Sequence, residues 1–478
     1  MLPAIYRKLA LASVALAVAL GAHAEDALLD LATDDSVSAE IRAAAQRTVA
    51  RLVAPPAGNV ADAALNDYLN RLLERIEPGS NYFIGIASRN DINAFATVGG
   101  VIMIYSGLWL ASDDEQELAG VVAHEIAHQR LQHIRRGTEK AERDTVLSIA
   151  AAAAALLVGD DRLQDALLLS NPAALASSQL SHSREFEAEA DSIGFDLLAR
   201  ARIDPKGLVR FLSKIQEVDY AGSLPEYLRT HPVSTNRIAA LNNRIQSRPT
   251  ASTMEGIEFL LMRERLAVLT RSEEDTIEKR LNDVGLSSLV SFPREKIAAL
   301  YGLLLHAARE KDPQAFASAE RMIRASGRTH PLISEALAAG MHEIGRSAEA
   351  LLELGVAVAR HPEHYPLAAL QSQLLSRTPD AAALAVIRGH IRRFGERHEL
   401  LMAEAAALSG LGMEVQHHLR LSLAALLEGR IGAAGKQIRI ARRAGERSGL
   451  SLEQRRELKE MEERYEDYKS SLSGIFSS

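Results

Sequence analysis

Residues 121–133 read "VVAHEIAHQRLQH", and the fold is read outward from them. An α-helix turns once in 3.6 residues, so His124 and His128, four apart, point the same way and can offer two imidazole nitrogens to one tetrahedral metal. Glu125 then stands beside the metal's open position, where its carboxylate can take a proton from a water, as a His-Glu-x-x-His helix does in hydrolysing a peptide bond. A chance pattern on a buried helix is the competing explanation, and the flanking residues argue against it. Ser112, Asp113 and Asp114 supply an N-terminal cap, while Leu118, Val121, Val122 and Ile126 supply a buried stripe. Packing alone gives no reason for two histidines and a glutamate on so apolar a helix.

Residues 183–200, "SREFEAEADSIGFDLLAR", carry the second half of the site. Glu187, Asp191, Gly194 and Leu198 share one helical face, flanked by Phe186, Ala190, Ile193 and Leu197. Two acids on an apolar face are costly to bury without partners. A metal resolves this, with Glu187 as third ligand and Asp191 accepting the spare N–H of a ligand histidine. Glu185 and Glu189 fall on other faces and are expected in solvent, and His182 is a rival ligand outside the stripe. The longer pattern His-Glu-x-x-His-x-x-Gly-x-x-His fails, because Leu131 and Ile134 stand where glycine and the third histidine belong. His133 therefore reads as a structural histidine at the helix end, which is expected near Arg136-Gly137.

Before the metal helix, apolar spacing predicts helices over Ser36–Leu52 and Val60–Ile76, separated by Pro55, Pro56 and Gly58. Strand signals follow at Tyr82–Ala87, Asn93–Thr97 and Val101–Tyr105, the last two joined across Gly99-Gly100 as a hairpin. Such an edge, through Asn93, Ala94 and Phe95, can bind an extended substrate by main-chain hydrogen bonds; a hairpin that merely covers the core is the plainer alternative. Residues 145–159, "TVLSIAAAAAALLVG", are uncharged but too short to span a bilayer, so a core helix is preferred over peripheral membrane contact.

The segments "NAFATVGG", "HEIAHQRLQH", "SREFEAEADSIG" and "RTHPVSTNR" together resemble the M48 family of zinc metallopeptidases over residues 35–247. The resemblance implies an α+β gluzincin-type domain with a small sheet, and one zinc ion held by His124, His128 and Glu187. It implies Glu125 as general base and Asp191 as the carboxylate behind the ligands. His231 and Arg237 match family positions near the metal. There the histidine either fills the fourth zinc position and holds the enzyme latent, or joins the arginine in stabilising the transition state; the sequence leaves both open.

The chain has 478 residues, too many for one ordinary core. Its net charge of −7, or −9 without Arg7 and Lys8, suggests no basic face for nucleic acid. Residues 1–24 read as a secretory signal: Arg7 and Lys8, an apolar run over residues 9–20, then Ala22-His23-Ala24, with cleavage near Ala24/Glu25. No cysteine is present, so neither a lipid-anchoring cysteine nor a disulfide framework is expected, and a periplasmic location follows.

From about residue 250 the composition turns to leucine, alanine and arginine, and His330, His364 and His398 recur every 34 residues, the period of a tetratricopeptide helix pair. Residues 333–362 fit best, with Ala338, Gly345, Ala350, Ala357 and Pro362 at small-residue and stop positions; Ser422, Gly429, Ala434 and Ala441 repeat the fit. Residues 295–327 and 366–415 fit less well, and no chemistry is assigned to the histidines. The expected order is thus a signal peptide (1–24), a metallopeptidase domain (25–249), an α-solenoid of repeats (250–445), and a charged helix with a disordered tail (446–478), mainly α overall. Solenoids of this kind grip peptides or partner proteins in a groove.

The architecture resembles that of the periplasmic, repeat-bearing members of the family. That resemblance implies quality control and assembly of outer-membrane β-barrel proteins: unfolded or misassembled outer-membrane proteins as substrates, and the β-barrel assembly machinery as a partner of the repeats. A non-proteolytic chaperone or adaptor working through the repeats is the alternative, and the intact Glu125 speaks against it.

Overall fold

The computed structural model describes residues 58–97, 100–133, 184–220, 226–247, 256–270 and 294–475, together with Arg42, Ala43, Gln46, Arg47 and Ala50. The secretory signal, most of the helix expected over Ser36–Leu52, residues 145–159 and His182 lie outside the described residues. No described helix is long and apolar enough to cross a membrane.

Helix α1 (Ala63–Ile76) buries Leu65, Tyr68, Leu69, Leu72 and Ile76 along one face. It starts three residues later than expected, because Val60 N–H donates to the Ile86 carbonyl and Asn59 bridges Ala87, which holds the preceding chain extended. Asp62 then caps the helix by accepting the N–H groups of Ala64 and Leu65. Strands β1 (Phe83–Ala87), β2 (Ala94–Thr97) and β3 (Val101–Tyr105) form a sheet of order β1-β3-β2. β1 runs parallel to β3, whereas β2 and β3 form the expected antiparallel pair, with Ala94 opposite Ile104 and Thr97 opposite Val101. Every residue of β3 is buried, as befits the central strand, and among the described residues β2 is an edge.

Helix α2 (Ser106–Ala111) follows β3 directly and stacks Trp109 on Tyr68 of α1 at 5.5 Å. The metal helix, α3 (Glu115–Arg130), is capped by Asp114, whose side chain accepts Glu117 N–H, while the Glu117 carboxylate accepts Asp113 N–H. Leu118, Val121, Val122 and Ile126 are fully buried, each contributing roughly 1.5–3 kcal/mol. The helix ends at Arg130, six residues before the expected stop. Gln132 takes φ +51°, and this left-handed residue turns the chain back so that His133 returns over the helix end.

Helices α4 (Arg184–Arg200) and α5 (Lys206–Tyr220) flank α3. Glycine sets how closely α3 and α5 approach: a Cβ on Gly120 would lie 2.8 Å from the Leu208 backbone, and one on Gly207 would lie 2.3 Å from the Gln116 carbonyl. Two short connections complete this region, α6 (Glu226–Thr230) and α7 (Thr235–Ser247).

Helix α8 (Glu258–Thr270) joins this region to the helical array. Its Arg265, half-buried, lies among Asp62, the cap of α1, Glu335 of the array and the Tyr301 hydroxyl, with nitrogen–oxygen distances of 2.6–3.1 Å. Apolar burial is likewise continuous, one cluster running from Ala64 to Leu374.

The array consists of α9 (Arg294–Arg309), α10 (Pro313–Ala325), α11 (Pro331–Glu343), α12 (Ser347–Arg360), α13 (Tyr365–Leu375), α14 (Ala381–Phe394), α15 (His398–Gly410), α16 (Glu414–Leu427) and α17 (Ile431–Ser448). These are antiparallel helical pairs consistent with a repeat solenoid, and they include the two stretches that fit the repeat pattern poorly. Ala338, Ala350, Ala357, Ala434 and Ala441 are buried between helices, but Gly345 and Gly429 are not packing residues. They occupy turns at φ +89° and +68°. The recurring histidines stand at helix starts: His330 and His364 precede α11 and α13, and His398 opens α15. The last helix, α18 (Leu452–Ile475), extends through most of the tail expected to be disordered, and Leu458, Met461 and Tyr468 bury one of its faces on α16 and α17.

Gly207→Ala is expected to force α5 away from α3 and cost about 1–3 kcal/mol, lowering the thermal midpoint by several degrees. An unchanged midpoint in a calorimetric scan would show that the contact is not tight.

Candidate metal centre

Three separated segments build the site. α3 presents His124, Glu125 and His128; α4 presents Glu187 and Asp191; the chain after α6 brings His231, and α7 brings Arg237. All seven side chains are buried. His124, His128, Glu187 and His231 each offer one ligand atom, and the four atoms lie within 4.8 Å of one another.

The spacing tests whether these residues fit a metal. His124 Nε2 is 3.1 Å from His128 Nε2 and 3.4 Å from His231 Nδ1. Glu187 contributes Oε1 at 3.1 Å from His231 Nδ1 and 3.4 Å from His128 Nε2. Donors about 2.0–2.1 Å from a tetrahedral zinc stand about 3.3 Å from one another. Three imidazoles and one carboxylate converge at that separation, and as hydrogen-bonding groups alone they would leave several lone pairs facing one another. The donor set fits zinc. His182 is not needed to complete it.

The charges agree. Burial opposes protonation of His124, yet Glu187 and Asp191 carry its pKa up to about 9, so the cluster calls for a cation. Burial also opposes ionisation of Glu187, but His231 and His124 hold its carboxyl well below the usual range. Glu125 lies 3.4 Å from His231 Nε2 and accepts the Ala96 N–H; burial pushes its pKa up, against the pull of His231 and His124. A raised carboxylate pKa suits a group that must accept a proton.

The expected partner of His124 is in place, Asp191 Oδ1 lying 3.1 Å from its Nδ1. Arg237 does more than the sequence reading allowed. Its guanidinium forks onto Asp191 at 2.7 and 2.8 Å and reaches Glu187 at 2.6 Å, while a further bond at 2.8 Å ties it to the Pro232 carbonyl beside His231. Burial works against ionisation of Asp191, and these hydrogen bonds from Arg237 overcome it and keep the carboxyl below its usual range.

Glu189 is exposed, as expected, and from there pairs with His133 at 3.0 Å; the ring of His133 stacks on Phe186 and its Nδ1 meets His128 Nδ1 at 2.9 Å. The early helix stop creates this support for His128. Of the residues expected to line an edge, Asn93 bonds inward, its carbonyl accepting Tyr105 N–H. Alternation along an antiparallel pair turns the main chain of Phe95 inward as well and that of Ala94 and Ala96 away from β3. Ala94 is fully buried and its N–H donates to Asn93 Oδ1 at 2.9 Å, which leaves Ala96 as the part-exposed edge position. Sequence reasoning missed Tyr227, whose ring stacks on His231, and Gln129, which donates to the Thr97 carbonyl at 2.6 Å and ties α3 to the hairpin. Tyr227 stands one helical turn before His231, but nothing in the sequence marks that turn as helical; no spacing rule marks Gln129.

Glu187→Ala is expected to lower zinc content sharply, whereas Glu125→Gln keeps it. Metal analysis of the purified variants checks this, and equal zinc in Glu187→Ala and parent would remove Glu187 from the ligand set.

Comparison with known proteins agrees with this geometry. The model of peptidase family M48 matches residues 61–245. A putative beta-barrel assembly-enhancing protease of Vibrio cholerae is 34% identical over 215 residues, covering 43% of this chain and 44% of that protein. The beta-barrel assembly-enhancing protease of Escherichia coli K12 is 30% identical over 254 residues, 52% of each. Metalloprotease LoiP of the same organism is 33% identical over 168 residues, 35% of this chain and 63% of that protein. The chain thus spans about half the length of the beta-barrel assembly-enhancing proteases it matches. Residues 61–245, with the zinc-type donor set at their centre, are a metallopeptidase domain of family M48.

Proposed function

We propose that this protein is a periplasmic zinc metalloendopeptidase that cuts unfolded or misassembled outer-membrane β-barrel proteins and so acts in their quality control and assembly. One observation carries the peptidase reading: the Glu125 carboxylate lies between the metal cluster and the outward-facing edge of β2, where its partner is the Ala96 N–H. Zinc held by His124, His128 and Glu187 supplies the Lewis acidity that makes a water nucleophilic. An extended peptide aligns by main-chain hydrogen bonds along the part-exposed end of that edge, at Ala96 and Thr97. Glu125 takes the proton of the attacking water and delivers it to the leaving nitrogen. Asp191 and Arg237 keep His124 and Glu187 in place.

The cellular role rests on the two relatives named beta-barrel assembly-enhancing protease and on the helical array, whose grooves suit capture of a precursor or of the assembly machinery. His231 lies within the donor cluster, which favours a latent enzyme opened on demand. The same closure favours the second reading, an adaptor whose centre stays silent.

The test is the rate at which zinc-loaded protein cuts an unfolded outer-membrane β-barrel protein and an unfolded soluble protein, with Glu125→Gln as the blank. The parent is expected to be slow, and His231→Ala about tenfold faster if the latch is closed nine times in ten. The β-barrel protein is expected to be the better substrate. If the parent cuts faster than the blank and His231→Ala does not, His231 belongs to the catalytic machinery and the latch is wrong. A parent and a His231→Ala variant that match the blank on both substrates would favour the adaptor.

A further inference from the structure

Tyr227 lies four residues before His231, fully buried, with no task in the chemistry above. Its ring stacks on the His231 imidazole, with centroids 4.7 Å apart and planes 28° from parallel. Phe211 of α5 meets the Tyr227 ring edge-on, with centroids 5.7 Å apart. The main chain closes the same unit. His231 N–H donates to the Tyr227 carbonyl at 2.7 Å, and Tyr227 N–H donates to the Ile92 carbonyl at 3.1 Å, just ahead of β2. At the start of α6, Glu226 pairs with Arg89 at 3.2 Å.

We infer that Tyr227 is the positioning residue that holds His231 against the metal cluster, its ring acting as the seat and its N–H anchoring that seat at the head of β2. The inference rests on the metal-centre reading. A lone imidazole entering from a short connection has many rotamers, and only a few aim Nδ1 at Glu187 and His124. A flat ring behind it, itself met edge-on by Phe211, removes most of the others. The hydroxyl has no part in this: it is buried without a hydrogen-bond partner, so deleting it loses no bond. Phenylalanine should therefore serve as well as tyrosine, while an aliphatic side chain of similar volume should not.

The experiment uses the full chain, stripped of metal and titrated with zinc against a chelator, then with cobalt(II), whose visible absorption responds to its donors. Tyr227→Phe is expected to match the parent in both. Tyr227→Met is expected to weaken zinc binding about 10- to 100-fold, the usual effect of losing a residue that orients a ligand. Its cobalt spectrum is expected to move to that of His231→Ala. In the His231→Ala background, Tyr227→Met should change zinc affinity no further, because the two residues act as one unit. If Tyr227→Met does not fold, Phe211→Leu, which removes the edge-on ring, carries the same expectations.

The inference is overturned if Tyr227→Met keeps the parent's spectrum and affinity. It is equally overturned if the loss is as large without His231, which would be general destabilisation, or if Tyr227→Phe is as damaged as Tyr227→Met. A parent that takes up neither zinc nor cobalt overturns the metal centre itself. That result is distinct from a loaded parent whose Tyr227 variants do not differ from it.

Discussion

Glu187 and Asp191 are two carboxylates buried one helical turn apart, and the positive charge they require organises everything around them. An ionised carboxylate in a dry interior is unfavourable by several kcal/mol unless it is paired and hydrogen-bonded. Arg237 answers half of that demand with a planar fork that fits Asp191 through two bonds and still reaches Glu187. A lysine offers no such fork. His124 links the two acids, one ring nitrogen toward each. The remaining demand falls at the point where three imidazoles and Glu187 meet, and there a divalent cation satisfies charge and lone pairs together.

Such a centre needs its helices close and fixed. Gly120 and Gly207 let α3 and α5 touch backbone to backbone. The hairpin is tied to the same helix through Gln129. Base, ligands and strand edge are thereby referred to one rigid element, which matters because small misplacements of a catalytic group are costly. Arg265 extends the frame into the array. It lies half-buried between the cap of α1 and Glu335, so separating the array from the metallopeptidase domain would leave those charges unpaired. The array is therefore held in a fixed relation to the sheet.

His231 differs from the other donors in how it is held. His124, His128 and Glu187 sit on long helices, whereas His231 follows a five-residue helix tethered by Arg89, Ile92 and the ring of Tyr227. Three donors on long helices with a fourth beside a short one is the physical form a latch would take.

The sequence by itself determined the parts whose geometry is local. The 3.6-residue period places His124 beside His128 and Glu187 beside Asp191, two short strand signals on either side of Gly99-Gly100 mark the hairpin, and the 34-residue recurrence marks the helical array. It could not decide where α3 stops, because a left-handed residue at Gln132 leaves no pattern, and so it could not foresee His133 supporting His128. Nor could it place Arg237 on Asp191, or Tyr227 behind His231. Arg237 and Asp191 belong to separate helices and meet only through tertiary packing, whereas Tyr227 and His231 are one helical turn apart, a turn that no sequence pattern announces. Periodicity fixes what faces the same way along one element; what meets across elements is set by tertiary packing.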